Sequence, residues 1–391
     1  MFAKGITMNT ASTLYRQAFI FNGSMDRGLT KLESLITEFL ELNAGNNRPL
    51  LLRLTSSGGV PEQIFGLCGL IQQAQAEGHE VWVHVLGQLC GFTYMAAGVA
   101  DKVYMEPTSS FSFTQMKVVT SGNLVKMASH VAFQRQLFDK LVSVITTRTN
   151  GKVSEAEVRG WKARHITAEE AVELGLADEV LPMPEPVKKT NLPVQSIRLN
   201  GSFSNQSEIY DLQIFIHSWM ERAENNGRPL HLHLTSWGGT VTQALAVYGL
   251  LCEAQRRGHH LTLHVVGEAY SCALWFITCA LKSGTVLIDS LAMLMFHAPW
   301  MEEVQADLDE IEEILAAEAA LYRQTSKLLS MAPGFTAELL AEWETQPDRY
   351  FTAQEAVAYG LGELVGFAAG RVRAKQAPAV QGEAGQAAPA A

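Results

Sequence analysis

Two consecutive glycines, Gly238 and Gly239, close the run RPLHLHLTSWGG that begins at Arg228. Such a pair just after a strand lets a ligand approach the backbone and leaves amide hydrogens free to face developing negative charge. Further along, GEAYSCALWFITCAL puts Ser271 at the expected start of a buried helix, where a hydroxyl sits beside the positive end of the helix dipole. A serine there could attack a carbonyl, given a base, and the natural base is a histidine oriented by a carboxylate. His297 ends the apolar run AMLMFH, and Asp348 precedes Arg-Tyr-Phe. Each residue also has a plain structural reading: a tight turn, a helix cap, a core histidine, a capping or surface carboxylate. Spacing alone does not choose between the two.

The elements that must position these groups are written twice. RPLLLRLTSSGG from Arg48 is answered by RPLHLHLTSWGG from Arg228, an offset of 180 residues that also carries Gly78-His79 onto Gly258-His259 and Gly87 onto Gly267. ITAEEAVELGLADEV from Ile166 is answered by FTAQEAVAYGLGELV from Phe351 at an offset of 185. Three collinear blocks mean a tandem repeat, and it must be found before any motif is weighed. Each copy alternates short apolar runs (Leu50 to Leu54, Val81 to Leu86; Leu230 to Leu234, Leu261 to Val266) with helical patterns, the order of parallel strands joined by helical crossovers. A long amphipathic helix follows in each, marked by Leu124, Met127, Val131, Phe138, Leu141 and Ile145 in the first and by Val304, Leu308, Ile311 and Leu315 in the second. Pro182, Pro184, Pro186 and Pro193 interrupt any regular structure between the copies. The expected organisation is a first domain over 1–189, a second over 190–374 and a disordered tail over 375–391.

The chain's 391 residues are enough for large cores, with 47% hydrophobic and 18% charged residues. A net charge of −10 argues against nucleic acid, which calls for an excess of Lys and Arg. Five cysteines without a CxxC pair read as small core residues in a reducing compartment. No signal-peptide pattern opens the sequence, so a cytoplasmic location is expected. Val81 to Ala100 is uncharged and long enough to span a bilayer, but His84, Gln88, Gly87 and Gly91 favour a strand followed by a short buried helix; no membrane association is expected. No metal or cofactor is expected either. His231 and His233 alternate on one strand and His259-His260 falls in a turn, all read as partly exposed, without Cys or carboxylate partners at a recognised spacing.

LTSWGGTVTQALAVYGLL, GEAYSCALWFITCAL, LMFHAPW and PDRYFTAQEAVAYGLGELV, in this order, resemble the proteolytic subunit of the Clp protease, ClpP. The resemblance implies two tandem α/β domains of the ClpP/crotonase type, each with repeated β-β-α spiral units and a long handle helix. It implies that Ser271 is the nucleophile, His297 the general base and acid, and Asp348 the orienting carboxylate. The amides of Gly239 and Cys272 match the family's oxyanion hole. Gly238, Thr240, Val241 and Thr242 match the segment along which the family binds its peptide as an added strand. Departures are Pro347 in place of the usual Arg, Glu268 in place of Gln and Trp237 in place of Pro.

In the first copy the positions matching the three catalytic groups are Gly91, Thr114 and Ala163, so that copy is expected to be inert. Its stretch CGFTYMAAGVADKVYMEP is similar to the signal-peptide peptidase SppA, which opens an alternative: a Ser-Lys peptidase with Lys117 or Lys126 as base. A further alternative is an inactive scaffold or regulatory partner of a true peptidase. By the resemblance the chain is a serine endopeptidase acting on peptides or unfolded proteins, assembled in homo-oligomeric rings and fed by an AAA+ unfoldase. The chain has no P-loop of its own. Two unlike copies do not alternate evenly round a ring of seven. Either each chain spans two rings, or the ring holds an even number of domains.

Overall fold

The structure is a computed structural model that describes residues 17–25, 29–114, 124–161, 163–297, 308–345 and 348–366. The first copy runs β1 (Gln17–Asn22), α1 (Leu29–Asn43), β2 (Leu50–Ser56), α2 (Pro61–Ala76), β3 (Val81–Cys90), α3 (Tyr94–Gly98), β4 (Lys102–Met105), β5 (Ser110–Thr114), α4 (Leu124–Arg148), α5 (Glu155–Gly160), β6 (Ala163–Thr167), α6 (Ala168–Leu174) and β7 (Glu179–Val180). The second repeats that order as β8 (Gln195–Asn200), α7 (Gln206–Met220), β9 (Leu230–Ser236), α8 (Val241–Arg256), β10 (Leu261–Tyr270), α9 (Trp275–Ser283), β11 (Thr285–Asp289), β12 (Met293–Phe296), α10 (Leu308–Leu329), α11 (Ala337–Glu344), β13 (Arg349–Thr352), α12 (Ala353–Ala358) and β14 (Glu363–Val365). The two copies therefore share one plan of two mostly parallel sheets, one per copy. Positions 181–194, the proline-rich join, carry no regular element. The tail over 375–391 lies outside the described residues.

Each sheet has one long central strand. β3 pairs in parallel with β2 and β4 along its first half and with β5 at its far end, and β10 does the same with β9, β11 and β12. The antiparallel pairs β5–β6 and β12–β13 extend the sheets at that end. A strand covered on both faces reads as a near-continuous apolar run, which is how Leu50–Leu54 and Val81–Leu86 are written apart from Arg53 and His84. Local chemistry sets the helix starts: Thr167 and Thr352 cap α6 and α12 by accepting from the amides of Glu170 and Glu355, and Glu355 closes a capping box.

The copies pack head to tail. Helices α7 and α8 of the second lie on the sheet of the first, with α8 against β3, and α10 lies on β6. Backbone meets backbone at this seam: a Cβ on Gly249 would fall 2.7 Å from the Leu86 carbonyl, and one on Gly87 would fall 2.9 Å from the Thr242 carbonyl. Beside the glycines lies a buried ionic cluster. Arg53, 0% exposed, donates from Nε to Glu253 Oε2 at 2.6 Å and pairs through Nη2 with Glu253 Oε1. Its Nη1 donates to His217 Nδ1 at 2.8 Å, which leaves His217 Nε2–H to donate to the Ala18 carbonyl at 2.9 Å and so fixes the neutral tautomer. His84 donates from Nε2 to Glu106 at 2.8 Å, with Nδ1 3.5 Å from Glu253, and Arg256 also pairs with Glu106.

Burial pulls the His84 pKa down, but Glu106 and Glu253 outweigh it and the group titrates higher than a free imidazole. Burial and the neighbouring Arg53 push His217 down to about 3. Glu253 is held well below the usual carboxylate range because Arg53 and Arg257 outweigh the effect of its burial. Among the described residues, no helix is long and apolar enough to cross a membrane. Cys68, Cys252 and Cys272 are buried and Cys90 is half-buried.

Candidate functional site

The site is assembled by strand ends. β10 and β12 pair in the register Tyr270↔Met295, and β12 and β13 in the register Phe296↔Arg349. One step beyond those pairs, Ser271 follows β10, His297 follows β12 and sits opposite Asp348, which precedes β13. Neighbouring strands lie about 4.8 Å apart, so the backbone carries the three residues to one end of three adjacent strands, with the histidine between serine and aspartate. Ser271 and His297 are half-buried and Asp348 is exposed.

Ser271 is held in an unusual conformation. Its φ is +56°, one of two positive values among the described non-glycine residues. The turn converts an extended strand into the short 3-10 helix Ser271–Leu274, which continues into α9. A left-handed L-residue costs about 1–2 kcal/mol and persists only where its surroundings over-determine it, a condition met most often at functional sites. Gly238 presses on it directly: a Cβ there would sit 2.6 Å from Ser271 Cβ and 3.2 Å from its Oγ. Only glycine fits between β9 and the serine.

Gly238 and Gly239 both have positive φ, 93° and 137°, and their carbonyls are engaged. The Gly238 carbonyl accepts from the Phe203 amide at 2.9 Å and from Ser202 Oγ at 3.1 Å. The Gly239 carbonyl accepts from the Cys272 thiol at 3.5 Å. Burial pushes that thiol up to about 12, so Cys272 is a neutral core side chain whose contribution is its backbone amide. That amide lies in the first turn of a helix, where N–H groups have no helical acceptor.

Thr240, with extended φ and ψ, is the N-cap of α8, and Val241 and Thr242 form its first turn. Thr242 donates to Gln88 Oε1 at 3.2 Å, and the Gln243 side-chain carbonyl accepts from Asn22; both are contacts to the first copy. The inter-copy seam starts where the peptide segment was expected.

The first copy has the same turn without the side chains. Cys90 pairs with Ser112, Phe113 with Arg164 and Thr114 with Ala163, so Gly91, Thr114 and Ala163 occupy the register positions of Ser271, His297 and Asp348. Gly91 has φ +57°, the same left-handed turn made by the residue suited to it. This signal was available in the sequence: a glycine opposite a serine in two copies of one fold marks a turn that the serine occupies at a cost. Lys117 and the side chain of Lys126 lie outside the described residues, as does Pro347. Trp237 is 58% exposed.

The histidines depart from expectation in two ways. His259 and His260 are buried, and through Nδ1 they bond the Arg228 and Val187 carbonyls at 3.0 and 2.7 Å. His231 and His233 are half-buried and gain a third member: β9 and β10 pair with His233 opposite His264, so the reading of two isolated strand histidines is revised.

The Clp protease family profile matches residues 4–184 and 201–368. The "ATP-dependent Clp protease proteolytic subunit 1" of Rhodopirellula baltica is 30% identical over 160 residues, 41% of this chain and 65% of that protein. The "ATP-dependent Clp protease proteolytic subunit 4" of Rhodococcus jostii is 31% identical over 146 residues, 37% of this chain and 71% of the relative. The match thus spans a little under two thirds of the Rhodopirellula protein. With the family profile matched once over each copy, and two sheets of one plan to receive it, the chain belongs to the Clp protease family.

Proposed function

We propose that the second copy is a serine endopeptidase that hydrolyses peptides or unfolded proteins through an acyl-enzyme. Ser271 attacks the scissile carbonyl. His297 takes its proton and returns it to the leaving amine, and Asp348 orients the imidazole. The amides of Gly239 and Cys272 stabilise the tetrahedral oxyanion. The observation that carries the reading is Ser271 itself, kept in the left-handed turn that its counterpart makes as glycine, at the strand ends shared with His297 and Asp348. A fluorophosphonate probe should label the chain, and Ser271→Ala should lose the label and lower hydrolysis by about 10⁶-fold. Labelling that survives in the variant sinks the assignment.

The seam supports a reading of assembly as well. A head-to-tail contact uses two different surfaces and leaves one of each unfilled. On the first copy the open surface is α1 and α2, where a Cβ on Gly69, the counterpart of Gly249, would meet nothing within 4 Å. On the second it is the sheet face of β9 and β10, where Val266 is 42% exposed while its counterpart Leu86 is 1% exposed. Tyr350 is 50% exposed, whereas its counterpart His165 is buried under α10. A second copy of this chain fills that face, and repetition closes a ring in which inert and catalytic copies alternate, even in number. An AAA+ unfoldase is the partner class that would feed it. Sedimentation should give an oligomer of the wild-type chain and a single chain for Val266→Glu; an unchanged oligomer in the variant refutes this packing.

A further inference from the structure

Outside the candidate peptidase site, one cluster of side chains has the composition of a ligand set. His231 and His233 point to the same face of β9, and the pairing with β10 sets His264 beside them. The His231 and His233 rings stack with centroids 4.2 Å apart, and the His264 ring lies 5.8 and 5.4 Å from them. One ring nitrogen from each comes within 4.8 Å of the other two. Nε2 of His231 and Nε2 of His264 are buried without a hydrogen-bond partner, although an imidazole on a half-buried surface ordinarily finds one.

We propose that His231, His233 and His264 form a binding site for a divalent transition ion of the zinc class. Three imidazoles on a tetrahedral ion at about 2.0–2.1 Å stand about 3.3 Å apart, so the rings need only close by a side-chain rotation. The ligand set decides the class of ion. Nitrogen donors suit zinc, nickel and copper, while magnesium and calcium take oxygen donors, of which the trio offers none. Arg198 lies near His233 and opposes any cation, so an ion there would have to be held by coordination rather than by charge. All three ligands come from one chain and lie on the sheet face that the proposed chain-to-chain contact covers. In the first copy the corresponding residues are Leu51, Arg53 and His84, built into the ionic seam, so the site exists once per chain.

The test uses tag-free full-length protein, stripped with a chelator and titrated with Co²⁺ and then Zn²⁺. One Co²⁺ per chain should bind with the visible absorption of a four-coordinate ion, and Zn²⁺ should displace it. His233→Ala and His264→Ala should each weaken binding by about 100-fold or more, while His297→Ala binds as wild type. The triple variant with Asn at all three positions keeps polar side chains there, and its melting temperature reports folding. Absence of saturable binding, or binding retained in the triple variant, overturns the proposal. Because the readout is metal occupancy, it stands or falls apart from the peptidase reading.

Discussion

β2 and β9 carry the same frame, Leu-x-Leu-x-Leu-Thr-Ser, and differ only at the alternate positions, where β2 has Leu51 and Arg53 and β9 has His231 and His233. In β2 all seven residues are buried; in β9 burial alternates strictly. The apolar face under both strands is the fold's own core. The other face is context: in the first copy it meets α7 and α8, and in the second no element of the same chain packs on it in that way. An identical architecture therefore buries a guanidinium on one side of the molecule and stacks imidazoles on the other. What separates the copies is the partner each sheet face has received.

That contrast gives the largest effect on stability. Glu253→Ala leaves the Arg53 guanidinium, 0% exposed, without its bidentate partner, and should cost about 3–5 kcal/mol in chemical unfolding. The counterpart change on the open surface, Gln73→Ala, removes only an exposed bond to Glu77 and should stay within about 0.5 kcal/mol. Equal costs would mean that the seam is not where the ionic energy resides.

The seam should also respond to pH, and His231 on the other sheet, pushed down to about 4 by burial and the neighbouring imidazoles, adds to the same acid-side loss. His217 has a folded pKa of about 3 against an ordinary value of 6.5, so it stabilises fully above 6.5 and that contribution fades as pH falls from there towards 3. Glu253, depressed below 4.5, adds to the loss at the acid end. His84 has the opposite sign: its raised pKa stabilises below 6.5, and that part is lost as pH rises through the folded value. The melting temperature should decline between pH 6.5 and 4, and His217→Gln should flatten the slope. A slope unchanged in the variant would remove His217 from the account.

Much of this was legible before the structure. The repeated blocks gave the two-copy plan, and the alternation of apolar runs gave parallel strands, because both are written in consecutive residues. Contacts between the copies were not legible. Nothing near Arg53 in sequence announces Glu253 or His217, and the burial of His259 and His260 depends on carbonyls of Arg228 and Val187 that only folding brings near. Where the segment after the double glycine turns helical was not legible either, and only the backbone shows α8 beginning at Val241 after an extended Thr240. His264 was missed because cross-strand register, not spacing along the chain, joins it to His233.

The smallest effect isolates the turn itself. Ser271 and Gly91 have φ of +56° and +57°, and a Cβ on Gly91 would meet nothing within 4 Å. Gly91→Ala therefore measures the bare backbone cost of a side chain in this conformation, about 1 kcal/mol of destabilisation with no clash mixed in. Ser271→Gly should run the comparison backwards, melting above Ser271→Ala by a similar amount while both are inactive. If the glycine variant is no more stable than the alanine variant, the serine bears no strain, and its conformation ceases to be a reason for assigning it a chemical role.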